Sequence, residues 1–287
     1  MVASLNGSSK VFGIIGHPVR HSLSPAMQNA AMQAGGLDGV YVPFDVRPEG
    51  LGEAVAGLRA LGVKGVNVTI PHKIGIIPYL DGLDESAVAA GAVNTVNNED
   101  GRLIGYNTDG DGLVRSLAEE CAFIPEQSTV VIIGAGGAAR GAVAAICRAG
   151  ARRVIVANRS RERATALVAT MGARYPDVAL MVAEYGEQMT TSLREAGLVM
   201  NTTSLGMNNE VIAGLDLGAL PPTGVVYDMV YAPPVTPLLH EARRLGLRHA
   251  NGLGMLAAQG ELAFRIWTGN LPPPGLMRHI LAGICAF

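Results

Sequence analysis

An α/β chain of two domains is the expectation, on three observations. The 287 residues exceed the ~150 of an average single domain. Apolar residues reach 49 % while charged residues are only 16 %, under the ~25 % usual for soluble proteins, as expected when strands are buried on both faces. Short apolar runs alternate with helical periodicity, which implies right-handed crossovers and a parallel sheet.

Val11–Ile15 is an apolar run ending at Gly16, and Ser24-Pro25 predicts an N-cap and first turn for a helix through Ala34. Val40–Phe44 is strand-like, Leu51–Leu61 is helical and closes on Gly62, and Val66–Ile70 is a strand stopped by Pro71. A helix over Glu85–Ala90 precedes a hairpin, Ala92–Asn97 with Leu103–Tyr106, turned by Glu99-Asp100-Gly101. A second unit opens at Thr108-Asp109 with a helix to about Glu120. Then come a strand (Thr129–Ile133), a turn (Gly134–Gly137), a helix (Ala138–Ala149) and a strand (Arg153–Ala157). Arg161–Met171 is helical, Leu198–Met200 and Val225–Met229 are buried strands, and Leu256–Trp267 is a last helix. Periodicity does not say on which unit that helix and the tail after Pro272-Pro273-Pro274 pack.

Several classes of function are disfavoured. A net charge of −2 gives no general attraction to nucleic acid or to an anionic membrane. The longest stretch without Asp, Glu, Lys or Arg, His21–Leu37, is too polar for a membrane span, and no secretory signal is visible. Cys121, Cys147 and Cys285 are odd in number and far apart, so buried inert thiols in a reducing cytoplasm are expected. The six histidines show no ligand spacing, so no metal is expected. His21 and His72 read as structural or supporting residues.

Val130–Ile133 runs into Gly134-Ala135-Gly136-Gly137-Ala138-Ala139 and then a helix. Gly134, Gly136 and Ala139 fill the three small positions of a dinucleotide turn: a tight bend, room for a pyrophosphate, and close helix packing. The helix N-terminus adds unpaired N–H groups for phosphate. At the end of the next strand, where NAD sites place an acid against the ribose, stands Asn158-Arg159-Ser160-Arg161-Glu162-Arg163. Arginines there attract a 2′-phosphate, so NADP is expected over NAD. The competing reading is that they decorate the exposed start of a helix.

Four polar segments lie at strand ends, where α/β sheets hold ligands: Gly16–Pro25, Asn67–Lys73, Gly91–Thr95 and Gly105–Gly110. With Asn158-Arg159, Asn201–Gly206, Asp228–Tyr231, Gly252–Leu256 and Gln259, in that order, the chain resembles shikimate dehydrogenase over nearly its whole length. The resemblance implies NADPH-dependent reduction of 3-dehydroshikimate to shikimate. It implies a substrate domain over 1–108 completed by 252–287, a Rossmann-type NADP domain over 109–251, and a site in the cleft between them. Lys73 and Asp109 are the implied catalytic dyad, since a ketone reduction needs a positioned proton donor. Ser22, Ser24 and Tyr231 are implied for the substrate carboxylate, and Thr69, Asn94, Asp109 and Gln259 for its hydroxyls. Gly134, Ala135, Gly136, Gly137, Ala138, Asn158, Arg159, Ser160, Arg163, Met229, Gly252 and Met255 are implied for the cofactor, and Glu85 aligns with a position sometimes linked to it. The expected partners are shikimate and 3-dehydroshikimate, with a homodimer left open.

Singly, each residue has a plainer role. Ser24 and Asp109 could cap helices, Thr69 could be an exposed strand end, Asn94 could fix a turn, Gln259 could sit on a solvated face, and Lys73 could be a surface lysine. Only three of 22 basic residues are lysine, which singles out Lys73 for chemistry a guanidinium cannot perform. Gln28 stands where the family commonly carries His. A quinate/shikimate dehydrogenase and a non-catalytic NADP sensor are the rival functions. No tyrosine precedes a lysine by four residues, against a short-chain reductase, and no G-x-S-x-G elbow is present.

Overall fold

The computed structural model describes residues 5–285; the first four and last two positions of the expected domain ranges lie outside them. The chain folds as two compact units, one that ends at Asp109 and takes back Ala257–Cys285, the other spanning Gly110–Leu256. Asp109 therefore groups with the first unit and 252–256 with the second, against the expected ranges.

The first unit runs β1 (Lys10–Gly16), α1 (Ser24–Ala34), β2 (Gly39–Asp45), α2 (Leu51–Ala60), β3 (Gly65–Val68), α3 (His72–Gly75), β4 (Gly82–Leu83), α4 (Glu85–Ala90), β5 (Thr95–Glu99) and β6 (Arg102–Tyr106). Its sheet has the order β2-β1-β3-β5-β6-β4. The sheet is mixed, because the hairpin puts β5 antiparallel to both β3 and β6. Asp100 and Gly101 take positive φ at that turn, the geometry that lets two short strands twist together. Ile15, Val66, Val68, Ile76, Val96 and Leu103 form part of the core.

The second unit holds α5 (Asp109–Cys121), whose first residue belongs to the first unit. It continues with β7 (Thr129–Ile133), α6 (Gly137–Arg148), β8 (Arg153–Ala157), α7 (Arg161–Gly172), β9 (Ala179–Ala183), α8 (Glu187–Leu193), β10 (Leu198–Asn201), β11 (Val225–Asp228), α9 (Pro237–Arg244), β12 (Arg248–Asn251) and the start of α10 (Leu253–Thr268). The order β12-β11-β10-β7-β8-β9 is all parallel and reverses between β7 and β10, the crevice where such sheets bind ligands. Every residue of β7 is buried. Val130 and Ile132 enter one core and Val131 and Ile133 another, so each sheet face has its own apolar layer.

Three further expectations need correcting. Ser24 is the first residue of α1 and makes no capping bond; Leu23 holds the cap position. The strand expected over 66–70 ends at Val68, two residues short of Ile70. Cys121 and Cys147 are buried, and burial pushes the Cys147 thiol up to about 12, but Cys285 is half-buried. The undecided tail packs in the first unit, where α11 (Leu276–Cys285) lies on α1.

Candidate active site

Lys73 lies on α3, a single turn that begins two residues past Ile70. Its carbonyl accepts the Val93 N–H at 2.7 Å, which ties the turn to the segment before β5. Its Nζ donates to Asp109 Oδ2 at 2.6 Å. The two side chains are 32 % and 25 % exposed, so the pair is sheltered yet reachable. The Asp109 N–H donates to Asn107 Oδ1 at 3.1 Å, which fixes the start of α5.

Asn94, 3 % exposed, joins the remaining groups. Its Nδ2 donates to Asp109 Oδ1 at 2.8 Å and Thr108 Oγ1 at 3.0 Å, and lies 3.5 Å from Gln259 Oε1. Its Oδ1 accepts from the Thr108 N–H and from Thr95 Oγ1, each at 2.9 Å. Behind it, Asn67 Nδ2 donates to Thr95 Oγ1 at 3.1 Å, and the Tyr41 hydroxyl donates to Asn67 Oδ1 at 2.7 Å. Burial holds the Tyr41 phenol well above the usual tyrosine range, partly offset by a hydrogen bond with Ser24. Lys73, Asp109, Asn94 and Gln259 are thus brought together, and Gln259 is buried, not on a solvated face.

The other expected substrate residues of this unit lie in the loop after β1, at the start of α1 and just past β3. The Ser24 N–H donates to Ser22 Oγ at 3.3 Å, with Ser24 buried and Ser22 half-buried. Thr69 is half-buried, its N–H donating to Ile15 O at 2.9 Å. His72 is buried with Nε2 2.6 Å from Val46 O, a structural contact; His21 is exposed. Glu85 is exposed at the start of α4. Buried Gln28 donates from Nε2 to Gly260 O at 3.0 Å, and its Oε1 has no partner among the described residues.

In the second unit, Gly134 has φ +117, and a Cβ there would lie 2.5 Å from Thr202 Oγ1; only glycine fits this bend between β7 and β10. At Gly136, the cap of α6, and at Gly137 a Cβ would meet nothing within 4 Å. Gly136, Gly137 and Ala138 are exposed, Ala135 is half-buried, and Ala139 is sealed in the core. The first turn of α6 therefore offers bare backbone N–H groups and open space, as a pyrophosphate requires.

Ser160 caps α7, accepting the Arg163 N–H, and Asn158 Nδ2 donates to Ser160 O at 2.8 Å. Arg161 is paired with Glu184. Arg159 and Arg163 are exposed, and among the described residues neither forms a salt bridge. Neutral Asn158 with two available guanidiniums suits a 2′-phosphate. A Cβ at Gly252 would strike the Met229 carbonyl, so those two segments touch backbone to backbone, and Met255 packs with Met229 against the same core. Tyr231 is half-buried beyond β11.

Family models match three stretches: a shikimate dehydrogenase substrate binding domain over residues 14–96, a shikimate/quinate 5-dehydrogenase over 116–212, and a shikimate 5′-dehydrogenase C-terminal domain over 252–281. A shikimate dehydrogenase (NADP(+)) from Geobacter metallireducens is 53 % identical, covering 98 % of this chain and 99 % of that protein. The chain belongs to the shikimate dehydrogenase family. The shikimate 5-dehydrogenase of Thermus thermophilus, solved with NADP(H) and shikimate, matches with a TM-score of 0.82 and 37 % identity over 94 % of this chain and 98 % of that one. That of Listeria monocytogenes, solved with shikimate and NAD, matches with a TM-score of 0.91 and 35 % identity over 98 % and 99 %. The family's two-domain α/β fold is the one described above.

For a shikimate dehydrogenase, three groups stand out that sequence reasoning passes over. Thr95 and Thr108 lie inside the polar segments without a role of their own, yet both bond the Asn94 carboxamide. Their signal is position: each sits next to an expected substrate residue, where backbone geometry alone brings it close. Tyr41 gives no signal, being an alternating aromatic in a strand.

Proposed function

We propose that this chain catalyses the reversible NADPH-dependent reduction of 3-dehydroshikimate to shikimate, in the shikimate pathway to chorismate and the aromatic amino acids. The observation that carries this reading is the Lys73–Asp109 pair, 2.6 Å apart and held by Asn94. The first unit is the substrate domain and the second the NADP domain.

Gly134, Ala135, Gly136, Gly137 and Ala138 hold the pyrophosphate. Asn158, Arg159, Ser160 and Arg163 hold the adenosine ribose and its 2′-phosphate, and Met229, Gly252 and Met255 flank the nicotinamide. When bound, NADPH supplies the hydride that reduces the ring ketone. Lys73 gives the developing alkoxide a proton from its ammonium and takes it back in the reverse direction. Asp109 orients that ammonium through Oδ2 and accepts from a substrate hydroxyl. Ser22, Ser24 and Tyr231 bind the carboxylate. Thr69, Asn94 and Gln259 meet the remaining hydroxyls, since amides and hydroxyls both donate and accept. The setting is the cytoplasm, which suits the free cysteines, and the enzyme acts as a monomer or a homodimer.

Steady-state oxidation of shikimate and of quinate, each with NADP and with NAD, tests the proposal. Turnover fastest with shikimate and NADP is expected. Cofactor binding without turnover would make the chain a sensor, and preference for quinate would overturn the substrate.

A further inference from the structure

We propose that Thr95 is a positioning residue for the Lys73–Asp109 site, a role that rests on the function just proposed. Its hydroxyl fixes which way the Asn94 carboxamide faces. Thr95 is fully buried, and its Oγ1 has two bonds of opposite sense. It accepts from Asn67 Nδ2 at 3.1 Å and donates to Asn94 Oδ1 at 2.9 Å. The accepted bond is itself directed, because Asn67 Oδ1 takes the Tyr41 hydroxyl at 2.7 Å, leaving Nδ2 to face Thr95.

Four bonds therefore run one way, from Tyr41 through Asn67, Thr95 and Asn94 to Asp109, each group donating to the next. Bonds aligned in this manner polarise one another, and this chain terminates on a carboxylate. If the Asn94 amide turned over, its oxygen would face Asp109 and its NH2 would face both the Thr108 N–H and the Thr95 hydroxyl. Without the Thr95 hydroxyl, one of the two donors opposing that flip is gone. Asp109 Oδ1 then loses its amide partner for part of the time, and the carboxylate is freer to turn away from Lys73.

The test compares Thr95→Val, nearly isosteric but without the hydroxyl, with Thr95→Ser, which keeps it. Thr129→Val is the control, because Thr129 Oγ1 is buried with no partner among the described residues. For Thr95→Val, kcat/KM for shikimate should fall roughly fivefold to tenfold, the scale of one lost buried hydrogen bond, with KM for NADP unchanged. Thr95→Ser should recover most of the loss, and Thr129→Val should match the parent. In an Asn94→Ala background the Thr95→Val loss should vanish, since Thr95 acts through Asn94. If Thr95→Val does not fold, Thr95→Ala replaces it in the same comparison with Thr95→Ser. Parent-like kinetics for Thr95→Val, an equal loss in the serine variant, or a full further loss in the Asn94→Ala background would overturn the proposal. An inactive parent chain would instead overturn the function on which it rests.

Discussion

Lys73 shows how far one residue can be read before coordinates. Its type and rarity single it out, but its reach to Asp109, 36 positions on, depends on a turn of helix that no periodicity announces. Four residues are too few for a 3.6-residue repeat to register, so α3 is legible only as a stop at Pro71. The geometry supports a sharp expectation. Lys73→Ala should lower kcat for shikimate oxidation by about 10²–10⁴, the range for a positioned acid–base group. NADP affinity, measured by nucleotide fluorescence or calorimetry, should hold. A fall in kcat with KM for shikimate little changed marks a group that acts in the transition state. Equal losses in binding and turnover would return Lys73 to a binding role. Asn94 marks the limit of such reading: sequence offers a turn former or a substrate contact, but its bonds to Asp109, Thr108 and Thr95 are three-dimensional facts.

At the scale of elements, strands are legible where they are buried on both faces. β7 is an unbroken apolar run, and its alternate residues feed two cores, so composition alone marks it. β12, with two exposed residues in four, and β9, with alternating exposure, carry no such run. They sit next to β11 and β8 at the two ends of the strand order, where a strand is sheltered on fewer sides. The loop after β8 is legible for a different reason: chemistry, not periodicity. Arg161 is spoken for by Glu184, whereas Arg159 and Arg163 form no salt bridge among the described residues, and the proposed function gives them the 2′-phosphate. Arg159→Ala should therefore raise KM for NADP about tenfold or more, as expected for a lost charge-assisted bond of ~1.5–3 kcal/mol. KM for NAD should stay within about twofold, because NAD lacks the group that the guanidinium would meet. If the ratio of the two constants does not move, Arg159 is surface decoration and Arg163 is the remaining candidate.

Sequence alone could not place the tail of the molecule, and one indole explains why it returns to the first sheet. Trp267, on α10, lies 5.5 Å from the Phe12 ring and 6.0 Å from the Tyr41 ring, and its Nε1 donates to Val96 O at 3.0 Å. It also rests on Gly65, where a Cβ would overlap the indole. One side chain thereby touches β1, β2, β3 and β5, and through Tyr41 it backs the hydrogen bonds that lead to Asn94. Nothing local in the sequence links positions 65 and 267, because the glycine is required by a partner some two hundred residues away. Two glycine-to-alanine changes in the same unit should consequently act in opposite directions. Gly57 lies inside α2 with open space where its Cβ would be, so Gly57→Ala should stabilise by up to about 1 kcal/mol through helix propensity and a less entropic unfolded chain. Gly65→Ala forces the indole off four strands and should cost about 1–3 kcal/mol as overpacking. That corresponds to several degrees in Tm, and kcat/KM for shikimate should fall with it as Tyr41 shifts. Scanning calorimetry of both variants checks the signs. If Gly65→Ala melts with the parent or above it, Trp267 does not hold the tail against this sheet.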